Sequence, residues 1–383
     1  MNFKPSRTFA EELMNKFIEN NLVNYSKLRN FDYGPDKRSN VSCLSPYVTH
    51  GVISEVELIK KSLNKYSFAK NEKFIQEIMW RTFWKGWMEL RPDVWIDYLS
   101  ELNQIRDKYK NDQDYKKAVE GRTEIQCFNE WVGELKENNY LHNHARMWFA
   151  SIWIFTLKLP WQKGAELFLK YLLDGDAASN TLSWRWVGGL QTKGKNYLAQ
   201  SWNIEKFTNK KYQNVKLIEN PMPLQDKREY ILTEIRNFNG NQKLSNLIFF
   251  ENNLNLEKYN LDNYKNIYCL LLNNDKRKIK LDQKVLNFKK EIIKNCLKSI
   301  SQDVKFLDNS QSLSLFDEAK EFDVIYPSIG ENNSFLEHLR NTKDVKFRFL
   351  KDDKDIFCWK FSNKGYFNFK SNIPKIISKF RLS

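Results

Sequence analysis

Eleven of the twelve tryptophans precede Asn203, and Trp359 stands alone behind it. A chain that concentrates its largest side chains this way builds two cores of different kinds. The polar stretch 210–223, ending in Pro221 and Pro223, marks the change. At 383 residues, with length over about 150 as a guide, two or three domains are expected. The composition shift divides the chain into a helical domain at 1–216, a linker at 217–239 and an α/β domain at 240–383.

The first part has helical rhythm. Trp80, Phe83, Trp84 and Trp87 recur at i, i+3, i+4 and i+7, and Leu167, Tyr171 and Leu172 form a similar stripe before Asp174. In the second part, short apolar runs at 247–250, 267–272, 304–307, 322–326 and 345–350 alternate with helical patterns such as 285–300 and 313–320. Strands alternating with helices predict a parallel sheet covered on both faces. Neither a G-x-G-x-x-G nor a G-x-x-x-x-G-K-[ST] motif occurs there.

With 41% hydrophobic and 28% charged residues the chain has the composition of a folded soluble protein, which excludes disordered, collagen-like and fibrous classes. The longest nearly apolar stretch, 147–157, is too short for a bilayer, and the N-terminus lacks the apolar core of a signal peptide. A cytoplasmic protein with no membrane partner is expected. Cys43, Cys127, Cys269, Cys296 and Cys358 lie far apart without metal-ligand spacing, so neither zinc nor a disulfide framework is expected. The 62 Lys and Arg against 47 acids leave a net charge of +15, which favours polyanions, nucleic acid first. Of those 62 cations 47 are lysines, so a Lys-rich composition is an equally simple source of the charge.

Three segments carry chemistry. Ser42-Cys43-Leu44-Ser45-Pro46-Tyr47 offers hydroxyls and backbone N–H groups ahead of a helix, as a phosphate loop or an ordinary N-cap does. His142-Asn143-His144-Ala145-Arg146-Met147 gathers amide, imidazole and guanidinium on little more than one helical turn. Asp174-Gly175-Asp176-Ala177-Ala178-Ser179-Asn180 precedes Trp184-Arg185-Trp186, and its two acids are also suited to capping a helix.

With Glu77-Ile78-Met79-Trp80-Arg81 and Glu120-Gly121-Arg122-Thr123, these segments resemble the cryptochrome/photolyase family, whose flavin domain carries five such motifs in this order. The resemblance spans residues 7–208. It implies an all-helical photolyase-type FAD-binding domain, followed by a smaller α/β parallel-sheet domain. It also implies FAD as cofactor and UV-damaged DNA as partner. Tyr25, Ser42, Leu44 and Ser45 would hold the phosphates. Arg81, Asn143, Arg146, Asp174, Asp176 and Asn180 would complete the cofactor site, with Asn180 facing flavin N5. Glu77, Trp80, Asn143, Met147, Asn180 and Trp186 would be the catalytic set. Arg29, Trp80, His144 and Trp186 would contact DNA, Trp80 and Trp186 packing on an extruded pyrimidine dimer.

The resemblance further assigns Trp184 and Trp161 to the first two positions of an electron-transfer chain. Its third position falls on Lys108, beside Tyr109, with Trp148 or Trp153 as another exit. Family members that repair six-four photoproducts place a histidine pair where Asn143 and Met147 stand, and the cysteine pattern of an iron–sulfur cluster is missing. The family ordinarily places an α/β antenna domain before the helical one. The α/β half after residue 240 is therefore expected to be its relocated counterpart, with Trp359-Lys360-Phe361 and Phe367-Asn368-Phe369-Lys370 resembling the end of that domain. The antenna chromophore stays unknown. The expectation is a monomeric, metal-free photolyase repairing cyclobutane pyrimidine dimers by light-driven electron transfer from reduced flavin; a cryptochrome-like photoreceptor without repair activity is the alternative.

Overall fold

The computed structural model describes residues 2–235, 244–308 and 311–382. The end of the sequence-based linker and the start of the α/β domain, 236–243, lie outside the described residues. Two compact units interleave in sequence: one takes Met1–Phe3, Lys16–Cys43 and Asp93–Ile231, the other Lys4–Asn15, Leu44–Pro92 and Leu232–Ser383.

The first unit is helical. Its core is aromatic, with Phe128 and Phe149 ring centroids 4.4 Å apart and Trp131 stacked on Trp148 at 5.5 Å. After the helix Asn143–Ser151, the backbone widens into a π-helical segment, Ile152–Thr156, closed by Leu157 N–H donating to Ile152 O at 2.9 Å. Gly164 is required where the helix Trp161–Tyr171 meets the rings. A Cβ there would lie 2.2 Å from Trp184 Cη2 and 3.0 Å from Trp153 Nε1.

The second unit holds a five-stranded parallel sheet in the order β3-β2-β1-β4-β5. The strands are β1 (Asn246–Phe250), β2 (Asn266–Leu270), β3 (Val304–Leu307), β4 (Glu321–Ile325) and β5 (Lys346–Leu350). Register pairs Ile248 with Tyr268 on one side of β1 and with Val324 on the other. All five strands fall where the apolar runs place them, because a strand covered on both faces reads as continuous apolar sequence; Leu247 through Phe250 are fully buried. One face packs Phe316, Phe322, Phe335, Leu336 and Phe347 with Ile248 and Phe250. Asp323 is a buried charge within β4. Arg348 answers it, with Nε donating to Oδ1 at 2.6 Å, and Tyr264 Oη donates to Oδ2 at 2.8 Å.

In the same unit the long helix Phe68–Glu89 is keyed to the C-terminal segment. A Cβ on Gly86 would sit 2.5 Å from Trp359 Cδ1 and 2.6 Å from Ser362 Oγ, so glycine alone lets the helix lie against Asp353–Trp359. Its last residue, Glu89, accepts from Tyr326 Oη at 2.7 Å and from Ile329 N–H at 3.0 Å, beyond the C-terminal end of β4. Sheets of this type receive ligands where the strand order reverses, here between β1 and β4. Glu89 enters that crevice. Burial pushes its carboxyl upward, against the pull of Tyr326, Lys351 and the Ile329 amide. Asn252 and Asn253 on β1's exit bond Pro327 O and Tyr326 O at 2.7 and 3.1 Å and tie the two strand ends together.

Among the described residues no helix is long and apolar enough to cross a membrane, and no group of three His, Cys, Asp or Glu is placed to hold a metal ion. All five cysteines are free and buried.

Candidate flavin and substrate site

The helical unit holds the Asn143–Ser151 and Ala177–Gly188 helices. His142 caps the first, its Nδ1 accepting from His144 N–H at 3.2 Å. Burial drives its imidazole down to about 4; Asp32 opposes the shift, while Arg38, His144 and Arg146 reinforce it. Asn143 opens the helix and is exposed; Met147 is half-buried. Arg146 donates from Nε to Leu141 O at 2.9 Å and from Nη2 to Asp174 Oδ2 at 2.9 Å. Its guanidinium lies 5.0 Å from the Tyr140 ring. Asp174 is thus held, buried, by a cation fixed at both ends of its fork.

Asp176 is the N-cap of Ala177–Gly188, accepting from Ser179 N–H at 2.8 Å. One turn on, Asn180 donates to Ala165 O at 2.9 Å, which orients its amide. On this helix Ser179 Oγ, Thr181 Oγ1 and Trp184 Nε1 are buried without a protein partner among the described residues. Buried polar groups of this kind call for a bound partner, and the hydroxyl and ring heteroatoms of a flavin cofactor are of the right chemistry. The residues present therefore fit FAD. Tyr25 and Ser42 are half-buried on loop and helix-start positions of the same unit, Tyr25 edge-on to Phe17 at 5.8 Å. Arg29 is turned back onto Ser26 O at 2.6 Å.

His144, which the resemblance sets against DNA, is 9% exposed, stacked on Trp148 at 4.1 Å, with Nδ1 2.9 Å from Asn30 O and Nε2 3.4 Å from Tyr197 Oη. Trp186 stacks on Tyr197 at 5.6 Å and stays half-buried. Trp161 lies on Tyr98 at 5.4 Å, and Trp184 stands edge-on to Trp153 at 6.3 Å. Lys108 is exposed.

Leu44, Ser45, Glu77, Trp80 and Arg81 belong to the second unit. Leu44 is buried and its carbonyl accepts from Tyr47 and Val48 N–H, starting the helix Ser45–Thr49. Arg81 donates to Glu55 Oε1 at 3.3 Å and to Thr49 O at 3.5 Å. Burial disfavours the Glu55 carboxylate, yet Lys354, Arg81 and Lys85 outweigh it and hold the group at about 2. Trp80 is stacked face to face on Tyr366, and the carboxyl of Glu77 faces the same tyrosine closely enough to join burial in pushing its phenol upward. Tyr366 is the contact that sequence reading missed. Nothing local announces it, because the two rings come from opposite ends of the chain.

Residues 74–243 match the FAD binding domain of DNA photolyase. Relatives named deoxyribodipyrimidine photo-lyase include those of Streptomyces griseus, 35% identical over 39% of this chain and 32% of that protein, and Agrobacterium fabrum, 31% identical over 48% and 38%. The Thermus thermophilus protein of that name is 30% identical over 49% of this chain and 43% of its own. The chain spans about a third to two fifths of the length of the curated relatives it matches. Among solved structures, a class III photolyase from Agrobacterium tumefaciens aligns with TM-score 0.45 and 26% identity over 53% of this chain and 43% of that one. A Synechocystis cryptochrome aligns with TM-score 0.48 and 20% identity over 55% and 44%. Over residues 74–243, under half of its length, the chain is thus similar to the FAD binding domain of DNA photolyase.

Proposed function

We propose that this chain is a cytoplasmic, monomeric, light-driven, FAD-dependent enzyme that repairs cyclobutane pyrimidine dimers in DNA. The observation that carries the reading is the Ala177–Gly188 helix. It joins a capped start at Asp176, an oriented Asn180 and buried unpartnered polar atoms, within a segment matching the photolyase FAD-binding domain. The bound flavin supplies the electron. Arg146 holds Asp174 in place for the cofactor's polar edge. A neutral amide at Asn180 suits a reduced, anionic ring better than a carboxylate does.

A pyrimidine dimer stacks poorly, so its extrusion costs only about a few kcal/mol. Stacking on Trp80 and Trp186 contributes about 1–3 kcal/mol per base. Glu77 accepts from the thymine edge, and the chain's net charge of +15 favours the phosphate backbone. The division proposed is a helical flavin- and DNA-binding domain at 1–216, a linker at 217–239 and a relocated antenna-like domain at 240–383.

A specific observation favours a second reading, a photoreceptor without repair activity: Tyr366 already occupies a face of Trp80. Binding separates the two. The repair reading expects purified protein to carry FAD and to prefer an oligonucleotide with one thymine dimer as salt rises. Absence of flavin, or salt-sensitive binding without preference for damage, removes the repair reading.

A further inference from the structure

Residues 356–383 are charged unlike the rest of the chain. They hold six Lys and Arg and no acid, so all 47 acidic residues precede Ile356. A Lys-rich composition accounts for many cations but not for the loss of every carboxylate. Lys360, Lys364, Lys375, Lys379 and Arg381 are exposed, and among the described residues none of them is in an ion pair. The sixth cation, Lys370, reaches Glu72 at 3.9 Å.

Aromatic side chains interleave with these cations. Phe367 is 86% exposed, the most exposed large apolar side chain among the described residues. Its place is fixed by its own short helix, Tyr366–Ser371. Tyr366 Oη donates to Gln76 O at 2.7 Å and Phe369 is fully buried, so these two positions face inward and Phe367 faces water. A single exposed apolar residue is ordinary. This one differs in standing among cations that no carboxylate answers. Next to it in the same unit, Arg91 Nη2 donates to Asn363 O at 2.8 Å, and its guanidinium lies 4.2 Å from the ring centroid of the half-buried Trp87. Lys375 stands 5.5 Å from the Phe361 ring and folds its charge back onto the same stretch.

We propose that residues 360–367, with Trp87 and Arg91, form a surface that binds undamaged single-stranded DNA, in addition to the extruded-base contact given to Trp80. The choice of DNA rests on the repair reading above. Exposed rings among cations suit a single strand, whose bases stack on aromatic faces whatever their sequence while Lys and Arg neutralise the backbone. A duplex keeps its base faces inside and offers Phe367 none. A lipid surface requires a broad apolar face beside the cations. Here Ile373, Ile376 and Ile377 of the next helix, Ile373–Lys379, are buried, and Phe367 stands alone. A strand held on Trp87 runs toward Trp80, two turns or about 10 Å away on the helix Phe68–Glu89.

The test measures binding of a fluorescein-labelled, undamaged oligothymidylate to the full chain by anisotropy, over a series of salt concentrations. Phe367→Ala is expected to weaken binding about tenfold, and Phe367→Tyr, which keeps the ring, to bind like wild type. Lys360→Gln combined with Lys364→Gln is expected to lower the slope of log affinity on log salt by about 1.4. All three side chains are exposed, so denaturation midpoints and flavin content should match wild type. Wild-type affinity and slope in every variant overturn the surface and leave the repair reading standing, since that reading is tested with a dimer and light. Dimers left unrepaired by protein that shows these variant effects sink the repair reading and keep the single-strand surface. Tighter binding of oligouridylate, or a larger loss on phosphatidylserine vesicles than on oligothymidylate, overturns single-stranded DNA as the partner.

Discussion

The ring of Trp80 lies on that of Tyr366, with centroids 3.4 Å apart and planes 11° from parallel. Tyr366 is fixed there by its hydroxyl, which donates to Gln76 O at 2.7 Å, and by Phe83 and Phe369, packed at 5.3 and 6.1 Å. A tyrosine from the C-terminal segment therefore holds a stacking surface that the proposed function gives to an extruded base.

If base and tyrosine compete for that face, Tyr366→Ala tightens binding of dimer-containing DNA. Trp80→Ala weakens it by about 1–3 kcal/mol with flavin retained. Fluorescence titration with a damaged oligonucleotide checks both. Unchanged affinity in Tyr366→Ala would show that the dimer never uses that surface.

Gly86→Ala tests the keying of the Phe68–Glu89 helix to the C-terminal segment. The added methyl meets backbone and ring atoms of Trp359 within 3 Å, so it cannot be relieved by a flexible side chain. The expected loss is about 1–3 kcal/mol, read from denaturant midpoints. A neutral result would mean that the two segments separate readily.

Asp174→Ala removes the partner of Arg146, whose guanidinium is held 2.9 Å away. The variant is expected to purify with much less flavin, measured by absorbance of the released cofactor. Full occupancy would show that the ion pair serves packing alone.

Stability should fall in mild acid. His142 titrates at about 4 in the fold, chiefly through burial, against about 6.5 in an unfolded chain. Below pH 6.5 the unfolded chain takes up a proton that the folded one refuses, so stability drops until about pH 4, by up to about 3 kcal/mol. His50, buried beside Lys289, is lowered too and adds to the slope. His142→Asn keeps a cap acceptor and removes one titration. Its denaturation midpoints should vary less between pH 7 and pH 5, and an equal slope would contradict the assignment.

The five strands were legible because central parallel strands are apolar on both faces, as Leu247 to Phe250 show. The Trp80, Phe83, Trp84 stripe likewise announced the Phe68–Glu89 helix. What stayed hidden was set by tertiary contact. The π-helical turn at Ile152–Thr156 has no periodic signature, and Tyr366 belongs to a short helix, Tyr366–Ser371, whose meaning lies in Trp80. The burial of His144 is set by Trp148, Asn30 and Tyr197, none of them its neighbour in the chain.

The central claim is tested most directly by dimer repair. Purified, chemically reduced protein is mixed with an oligonucleotide bearing one thymine dimer and held under blue light or in the dark, and intact dimer is counted by chromatography. The account predicts loss of the dimer in light alone, with many turnovers per bound flavin. Flavin-loaded protein that leaves the dimer intact on both single and double strands would contradict it.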